Sequence, residues 1–297
     1  MLLKFGGEGS GSWNAHMATQ PVSMGRYWAD ASDLFFRRPL LWVPVLVADL
    51  IGSLLNIGQG ALMHAIAMHR MQFHSALGGT VATKGLTMQA AQQLYIYAIA
   101  LGWTTNFVRI LLYVSAFVLT AGLVWTAGRR NSWNGAVAAL SARVNGATLL
   151  ALRALALYAA AAVGNTYLTR YLLVANPALL HSIWFRLGLA AVVVALQVGV
   201  LSNAALKVLT EKTPTEHGAR SARLMALVLG FVALAMGFFI GQSSAIVRSA
   251  TEEKRLVLEV LASLLTAVPY ILMFLGYAVI AATERSESVD GEIIAAE

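Results

Sequence analysis

Long apolar runs separated by short polar segments divide the chain into six candidate membrane spans. A helix needs about 20 residues to cross a hydrocarbon core of roughly 30 Å. Each run meets that length and holds at most two charged residues. The pattern therefore predicts an all-α, polytopic bundle of six transmembrane helices. We place the spans at Leu40–Met63, Leu94–Thr126, Leu149–Val174, Ile183–Leu206, Leu224–Val247 and Leu256–Thr283.

A short amphipathic segment precedes the first, third and fifth spans. In the first segment, Tyr27, Ala31 and Leu34 fall on one helical face, which is typical of a helix that lies in the membrane interface. Residues 132–150 align without a gap on residues 23–41, so we interpret the chain as three units, each an interfacial helix followed by a transmembrane hairpin. The three segments are Met24–Arg38, Ser132–Arg143 and Thr215–Arg223.

The two ends of the chain differ in composition from the spans. Residues 1–23 include a stretch rich in glycine and serine, Gly6–Ser12, which predicts a flexible tail. Residues 24–283 form the predicted transmembrane domain. Residues 284–297 are acidic and predict a disordered tail with the charge to dock a basic partner.

Composition agrees with a membrane protein and excludes several functions. Of the 297 residues, 58% are hydrophobic and only 12% are charged, and the mean hydropathy is +0.68. A soluble domain of this size could not bury so much apolar surface. The absence of cysteine excludes disulfides, thiolate metal ligands and cysteine nucleophiles. The net charge of +7 is spread thinly between apolar runs, so it indicates contact with a membrane surface and no nucleic-acid partner.

Lysine and arginine are distributed unequally between the two sides of the predicted bundle. Twelve of the 21 fall on the side of the chain termini, seven fall on the other side, and Arg109 and Arg153 lie within spans. Because cytoplasmic segments carry the excess of positive charge, we expect both termini in the cytoplasm. That arrangement requires an even number of spans, as predicted.

Two of the segments that enter spans carry a recognisable pattern: Arg-Arg-Pro-Leu-Leu-Trp-Val-Pro at residues 37–44 and Ser-Trp-Asn-Gly-Ala-Val-Ala-Ala-Leu-Ser-Ala-Arg at residues 132–143. With them, the chain resembles bacterial six-span domains of unassigned function, among them the membrane domain attached to some glycerophosphodiester phosphodiesterases. The resemblance is topological and covers most of residues 24–283. It implies a helical bundle in the bacterial cytoplasmic (inner) membrane. No catalytic residue carries over, because the phosphodiesterase domain is absent from this chain.

Polar residues inside the first two spans are spaced so that each set lies on one helical face. Such faces point away from lipid, so we expect the two to meet and the first span to be the helix around which the others pack. The residues are Asp49, Gly52, Ser53, Asn56 and Gly60 in the first span, and Gly102, Asn106, Arg109 and Tyr113 in the second.

The most informative of these residues are four that we call the polar seam: Asp49, Asn56, Asn106 and Arg109. Charged side chains at membrane depth normally pair with one another or face a water-filled cavity. Asp49 lies about 14 Å from the start of its span, and Arg109 lies near the middle of the second. We therefore predict an ion pair between Asp49 and Arg109, and we take the seam as the candidate binding site.

The segment after the first span contains the candidate metal ligands. His64, Met68 and Met71 share a helical face, and imidazole and thioether groups suit copper. Methionine also fills irregular packing, and no carboxylate lies nearby to orient an imidazole. Packing is therefore the favoured interpretation, and we expect no cofactor.

No pattern typical of a catalytic centre is present, so we do not expect an enzyme. Two functions remain. The first is a non-enzymatic scaffold or accessory subunit of a membrane complex, favoured by small-residue faces that allow helices to pack closely. The alternative is a transporter or channel-like protein for a small solute, lipid or ion that uses the polar seam. The expected partners are membrane lipids and other membrane subunits or further copies of the chain.

Overall fold

The computed structural model describes residues 23–76, 82–126, 132–176, 178–179, 182–246 and 252–296. Side-chain surroundings are described for these residues, except for most of 64–95 and 252–263 and all of 240–246 and 286–296. All regular structure in the described ranges is helical. In chain order the helices are α1 (Met24–Arg37), α2 (Val43–Ala76), α3 (Ala82–Trp125), α4 (Ser132–Ala142), α5 (Val144–Ala175), α6 (Ile183–Thr210), α7 (Glu216–Ile246) and α8 (Glu252–Ala296), and a 3-10 turn, Pro39–Trp42, links α1 to α2.

Six of these helices are long and apolar enough to cross a membrane, which confirms the predicted number of spans. Consecutive spans pair as hairpins: α2 packs on α3, α5 on α6, and α7 on α8. Each predicted span overlaps one of the six. Within the described residues the spans are Pro39–Met63, Ile96–Trp125, Val144–Ala175, Ile183–Thr210, Glu216–Phe239 and Leu264–Arg285.

The last span is the centre of the bundle. Helix α8 packs on α1, α2, α3, α6 and α7. In its most apolar stretch 61% of the residues are buried, against 33% in the first span and 17% in the third and fourth. The expectation that the other helices pack around the first span is therefore wrong. A polar stripe shows which side of a helix points inward, but it does not show how much of the helix its neighbours cover.

Aromatic side chains join α8 to α3. The ring of Phe117 lies edge-on to those of Phe274 and Tyr277, with ring centroids 5.1 and 5.6 Å apart. One turn away, the rings of Tyr113 and Tyr270 are 5.4 Å apart. Because edge-to-face pairs contribute about 0.5–1.5 kcal/mol beyond the area they bury, this column holds the two helices in register.

A close approach and a buried hydrogen bond connect α8 to the other hairpins. Gly276 lies directly against the Met225 sulfur of α7, where a Cβ atom would overlap it. Tyr277 donates a hydrogen bond to Ser202 Oγ of α6 at 2.6 Å, with both side chains buried. The core of the protein is thus a meeting of all three hairpins on α8.

Helix α1 docks on the bundle through the face predicted from the sequence. Tyr27, Ala31 and Leu34 are buried, and α1 packs against α8. This apolar face therefore packs on protein. Burial raises the pKa of the nearby Asp30 carboxyl, and the positive charge of Arg26 opposes that shift.

Two of the three predicted interfacial segments are separate helices. After α1, Pro39 disfavours helical geometry at the preceding residue, and Arg38 accordingly has φ −132° and ψ 74°. A second break falls at Arg143, with φ −107° and ψ 11°, between α4 and α5. These breaks let α1 and α4 take directions different from those of the spans that follow them.

The third predicted interfacial segment, Thr215–Arg223, is not a separate helix. The Thr215 hydroxyl accepts a hydrogen bond from the Gly218 N–H at 3.1 Å, which caps the start of α7. From Glu216 the helix continues without interruption to Ile246. The prediction was wrong because no proline or capping residue separates this segment from the fifth span.

Helix α8 continues beyond the predicted end of the sixth span. It runs to Ala296, so the segment from Glu284 is helical where we expected a disordered tail. Glu284 Oε1 accepts hydrogen bonds from the Thr215 N–H at 3.0 Å and the Thr215 hydroxyl at 2.7 Å. This contact fastens α8 to the start of α7. The predicted N-terminal tail lies outside the described residues, apart from Ser23.

Replacing Gly122 with alanine should separate α3 from α4. A Cβ atom on Gly122 would lie 2.7 Å from Ala136 Cα, and backbone atoms cannot move aside cheaply. We expect the free energy of unfolding in detergent to fall by about 1–3 kcal/mol. As the control, Gly199→Ala places a Cβ in open space on α6 and should leave stability unchanged or raise it by up to about 1 kcal/mol. Equal effects of the two substitutions would contradict this close packing.

Candidate functional site

Asp49 is a buried acid within the first span. Its side chain belongs to α2, only 5% of the residue is exposed, and Tyr113 of α3 donates a hydrogen bond to its Oδ1. A carboxylate removed from water needs such a donor, because an unsatisfied charge at membrane depth is strongly unfavourable. Tyr113 belongs to the polar stripe that the sequence predicted for the second span, so the two stripes do meet.

Arg109 lies one helical turn from Tyr113 and packs across Gly52. A Cβ atom on Gly52 would be 3.2 Å from Arg109 Nε and 3.4 Å from its Cγ. Glycine at this position therefore leaves room for the arginine stem between the two helices. Farther along the same interface, a Cβ on Gly102 would lie 3.5 Å from Gln59 Nε2. These pairs fix the antiparallel register of α2 and α3.

In this register Tyr113 of α3 reaches Asp49, and Arg109 lies against Gly52, one turn of α2 from Asp49. The Asp49–Arg109 ion pair stays a prediction.

Tyr270 completes the surroundings of the acid from the central helix α8. Its ring packs on that of Tyr113, and the charges of Asp49 and Arg109 both act on the two tyrosine hydroxyls. We call Asp49, Arg109, Tyr113 and Tyr270 the Asp49 cluster. It combines a carboxylate, a guanidinium and two phenols, which can store or pass a proton but also serve to hold α2, α3 and α8 together.

The two asparagines of the predicted polar seam lie elsewhere. Asn106 donates hydrogen bonds from Nδ2 to the Gly102 carbonyl at 2.8 Å and to the Tyr158 hydroxyl at 2.9 Å, so it faces α5. Asn56 is exposed. The structure thus brings Asp49 and Arg109 into one cluster, while Asn106 joins α3 to a different helix. Tyr158 and Tyr270 were missed in the sequence, where a tyrosine inside an apolar span is the signal for a polar neighbour.

The candidate metal ligands His64, Met68 and Met71 lie outside the residues whose side chains are described. Among the described residues, no group of three or more His, Asp or Glu side chains is placed to hold a metal ion. The interpretation of these residues as packing groups and not copper ligands therefore stays a prediction.

A second polar cluster lies where four spans end, and it was not predicted. The guanidinium carbons of Arg143 and Arg285 lie over the ring of Trp125, at 5.1 and 4.1 Å from its centroid. Both arginines pair with Glu211, Arg143 closely and Arg285 at 3.7 Å. We call these four residues the Trp125 cluster. Each lies at or next to a span terminus in the sequence, but their meeting depends on how the three hairpins are arranged.

Comparison with known proteins does not add to this picture: no family model, curated protein or solved structure matches the chain. The resemblance to the membrane domain of glycerophosphodiester phosphodiesterases stays a prediction.

Removing the hydroxyl of Tyr113 should destabilise the protein, because Asp49 would keep its burial and lose a donor. We expect Tyr113→Phe to lower the free energy of unfolding by about 1–3 kcal/mol in detergent. Tyr270→Phe, which also deletes one phenolic oxygen beside the cluster, should lower it by less.

The same measurement in an Asp49→Asn background isolates the contact. If the hydrogen bond is responsible, Tyr113→Phe loses most of its effect when the carboxylate is gone. An undiminished effect would show that ring packing alone makes Tyr113 important.

Proposed function

We propose that this integral membrane protein is a non-enzymatic scaffold or accessory subunit, which binds a transmembrane helix of a partner through one face of α5. The observation that carries the proposal is the small contact area of that helix within the bundle. Only 17% of the most apolar stretch of α5 is buried, although its span of 32 residues is the longest of the six. The same fraction is buried in α6, but α6 also packs on the central helix α8.

The uncovered side of α5 has the composition of a helix-packing surface. Arg153, Ala156, Ala160 and Gly164 are exposed and fall on one side of the helix; we call them the α5 face. Small residues at this spacing let a second backbone approach closely, and van der Waals contact of this kind drives helix association in lipid. Nothing lies within 4 Å of where a Cβ on Gly164 would be.

Polar groups on α5 indicate that its uncovered side faces a partner protein and not only lipid. Arg153 is exposed about 14 Å along α5, where an unpaired charge is unfavourable and a carboxylate on a partner helix would neutralise it. All five residues of 163–167 are exposed, including Asn165, so more than a full turn stands free of the bundle. Both polar groups are complementary to a helix that carries an acid and a hydrogen-bonding side chain.

Polar groups in the interior support a structural role for the bundle itself. Asp49 accepts a hydrogen bond from Tyr113, and the Asn106 amide donates hydrogen bonds to two acceptors. These side chains already serve to hold helices together. The excess of lysine and arginine on the side of the termini supports placing the protein in the bacterial cytoplasmic membrane with both ends in the cytoplasm.

Substitution of Gly164 tests the proposed surface. A photo-crosslinking amino acid at position 160, used in native membranes, should capture one membrane protein, and Gly164→Leu should reduce that product about tenfold, the equivalent of about 1.4 kcal/mol. Gly199→Leu is the matched control, because Gly199 is an exposed glycine on α6 with open space around it.

The positive charge of Arg153 allows a second test in the same experiment. Arg153→Glu should weaken capture, and an Arg or Lys introduced for the facing acid of the captured partner should restore it. Crosslinking that is unaffected by Gly164→Leu, or affected equally by Gly199→Leu, would refute the scaffold function through α5.

The Asp49 cluster favours a second candidate function, translocation of protons. A buried carboxylate beside two tyrosines at mid-membrane is the kind of group that proton-coupled proteins use. In vesicles that contain the purified protein and a trapped pH-sensitive dye, an imposed gradient should then drive acidification that Asp49→Asn abolishes. Acidification equal to that of empty vesicles would reject this function and leave the scaffold.

A further inference from the structure

The Trp125 cluster is arranged like an anion site that is already partly occupied. One carboxylate, Glu211, is shared by the guanidinium groups of Arg143 and Arg285. Arg285 also donates a hydrogen bond to the Leu209 carbonyl. Arginine presents several donors in a planar fork, and those of Arg143 are not all used by the acceptors around it. The arginines also lie over Trp125, whose ring holds them in place without neutralising them.

Arg143 has a hydrogen-bond donor that no acceptor uses. Its side chain is only 9% exposed, one terminal nitrogen donates to the Ala139 carbonyl at 3.1 Å and the other pairs with Glu211. Its Nε is buried and has no hydrogen-bond partner. A buried donor of a cationic group without an acceptor is unfavourable, so Arg143 has hydrogen-bonding capacity that its protein acceptors do not use.

Glu211 has an unusual backbone conformation and a largely exposed side chain. It is the residue after α6, and among the described residues other than glycine it alone has a positive φ, 62°. The left-handed conformation costs roughly 1–2 kcal/mol for a residue with a Cβ atom. Its side chain is 60% exposed, so it is free to turn into water when another anion takes its place. Arg285, 35% exposed, marks the open side of the cluster.

The position of the cluster in the bundle indicates which anions reach it. Four span termini lie on the same face of the bundle, and the cluster is built at them. They are Trp125, Val144, Thr210 and Arg285. Phosphate groups of lipids lie at this level of a membrane, and basic pockets between transmembrane helices bind anionic headgroups. An inorganic phosphate from the adjacent water would meet the same side chains.

We propose that Arg143 and Arg285 form a binding site for a phosphate group, in which Glu211 is an internal anion that the phosphate displaces. The phosphate oxygens accept hydrogen bonds from Arg285 at the open side and from Arg143 once the Glu211 carboxylate has moved away. No covalent step is involved, and Trp125 keeps the two guanidinium groups together in both states.

The test is a binding measurement on the purified full chain by native mass spectrometry, with phosphatidylglycerol and phosphatidylcholine of the same acyl chains as probes. Glu211→Gln removes the competing charge and should tighten phosphatidylglycerol binding about tenfold, because the arginines keep their donors. Arg285→Gln should weaken it by a similar factor. Arg220→Gln, which removes an exposed arginine of α7 outside the cluster, should change it little.

The gain in affinity for phosphatidylglycerol with Glu211→Gln is the decisive result, because a variant that merely unfolds would lose affinity. Competition by inorganic phosphate at millimolar concentration would identify the free anion as a ligand, and selective binding of phosphatidylglycerol without such competition would identify the lipid. Either result supports the site. Unchanged affinity in Glu211→Gln, or equal losses in Arg285→Gln and Arg220→Gln, would overturn it.

Discussion

The packing of α8 against helices of all three hairpins, including its own partner α7, is the constraint on which the rest of the structure depends. Along this one helix, Tyr270 reaches the Asp49 cluster, Tyr277 donates to Ser202, and Arg285 joins the Trp125 cluster. These contacts are spaced about two turns apart along α8 and involve α3, α6 and the α4–α5 junction. A shift of α8 by one residue would break all of them together, so the aromatic column with α3 keeps two distant polar clusters in place.

The forces that hold this bundle are those available in lipid, where burying an apolar side chain against another helix gains little over burying it in acyl chains. Close contact and polar pairing must supply the difference. Glycines do so where helices touch, at Gly122 against α4 and at Gly276 against Met225. Hydrogen bonds such as Tyr113 to Asp49 add specificity, because a shift in register would leave a buried carboxylate without its donor.

The number of spans, their approximate limits and the buried face of α1 could be predicted, because length, hydropathy and helical periodicity are local properties. The central position of α8 could not. Mean hydropathy is 2.1 both for the sixth span and for the largely uncovered fourth, and lipid-facing and buried surfaces are equally apolar. Depth along a span can be estimated from the sequence only to within about a turn, which is too coarse to identify Tyr113 as the hydrogen-bond donor to Asp49. The Trp125 cluster joins residues from separate hairpins and had no signal within any one segment.

The two polar clusters differ in what surrounds them, and that difference bears on function. The Asp49 cluster is enclosed by α2, α3 and α8, and its acid is 5% exposed, so it mainly stabilises the interior. The Trp125 cluster opens through Arg285 and Glu211 at the span ends. Exchange with lipid or water is therefore easier at the end of the bundle than at its centre. Together with the uncovered α5, this leaves the accessible polar groups on the outside of the bundle, where the partner helix and the phosphate group that we propose would bind.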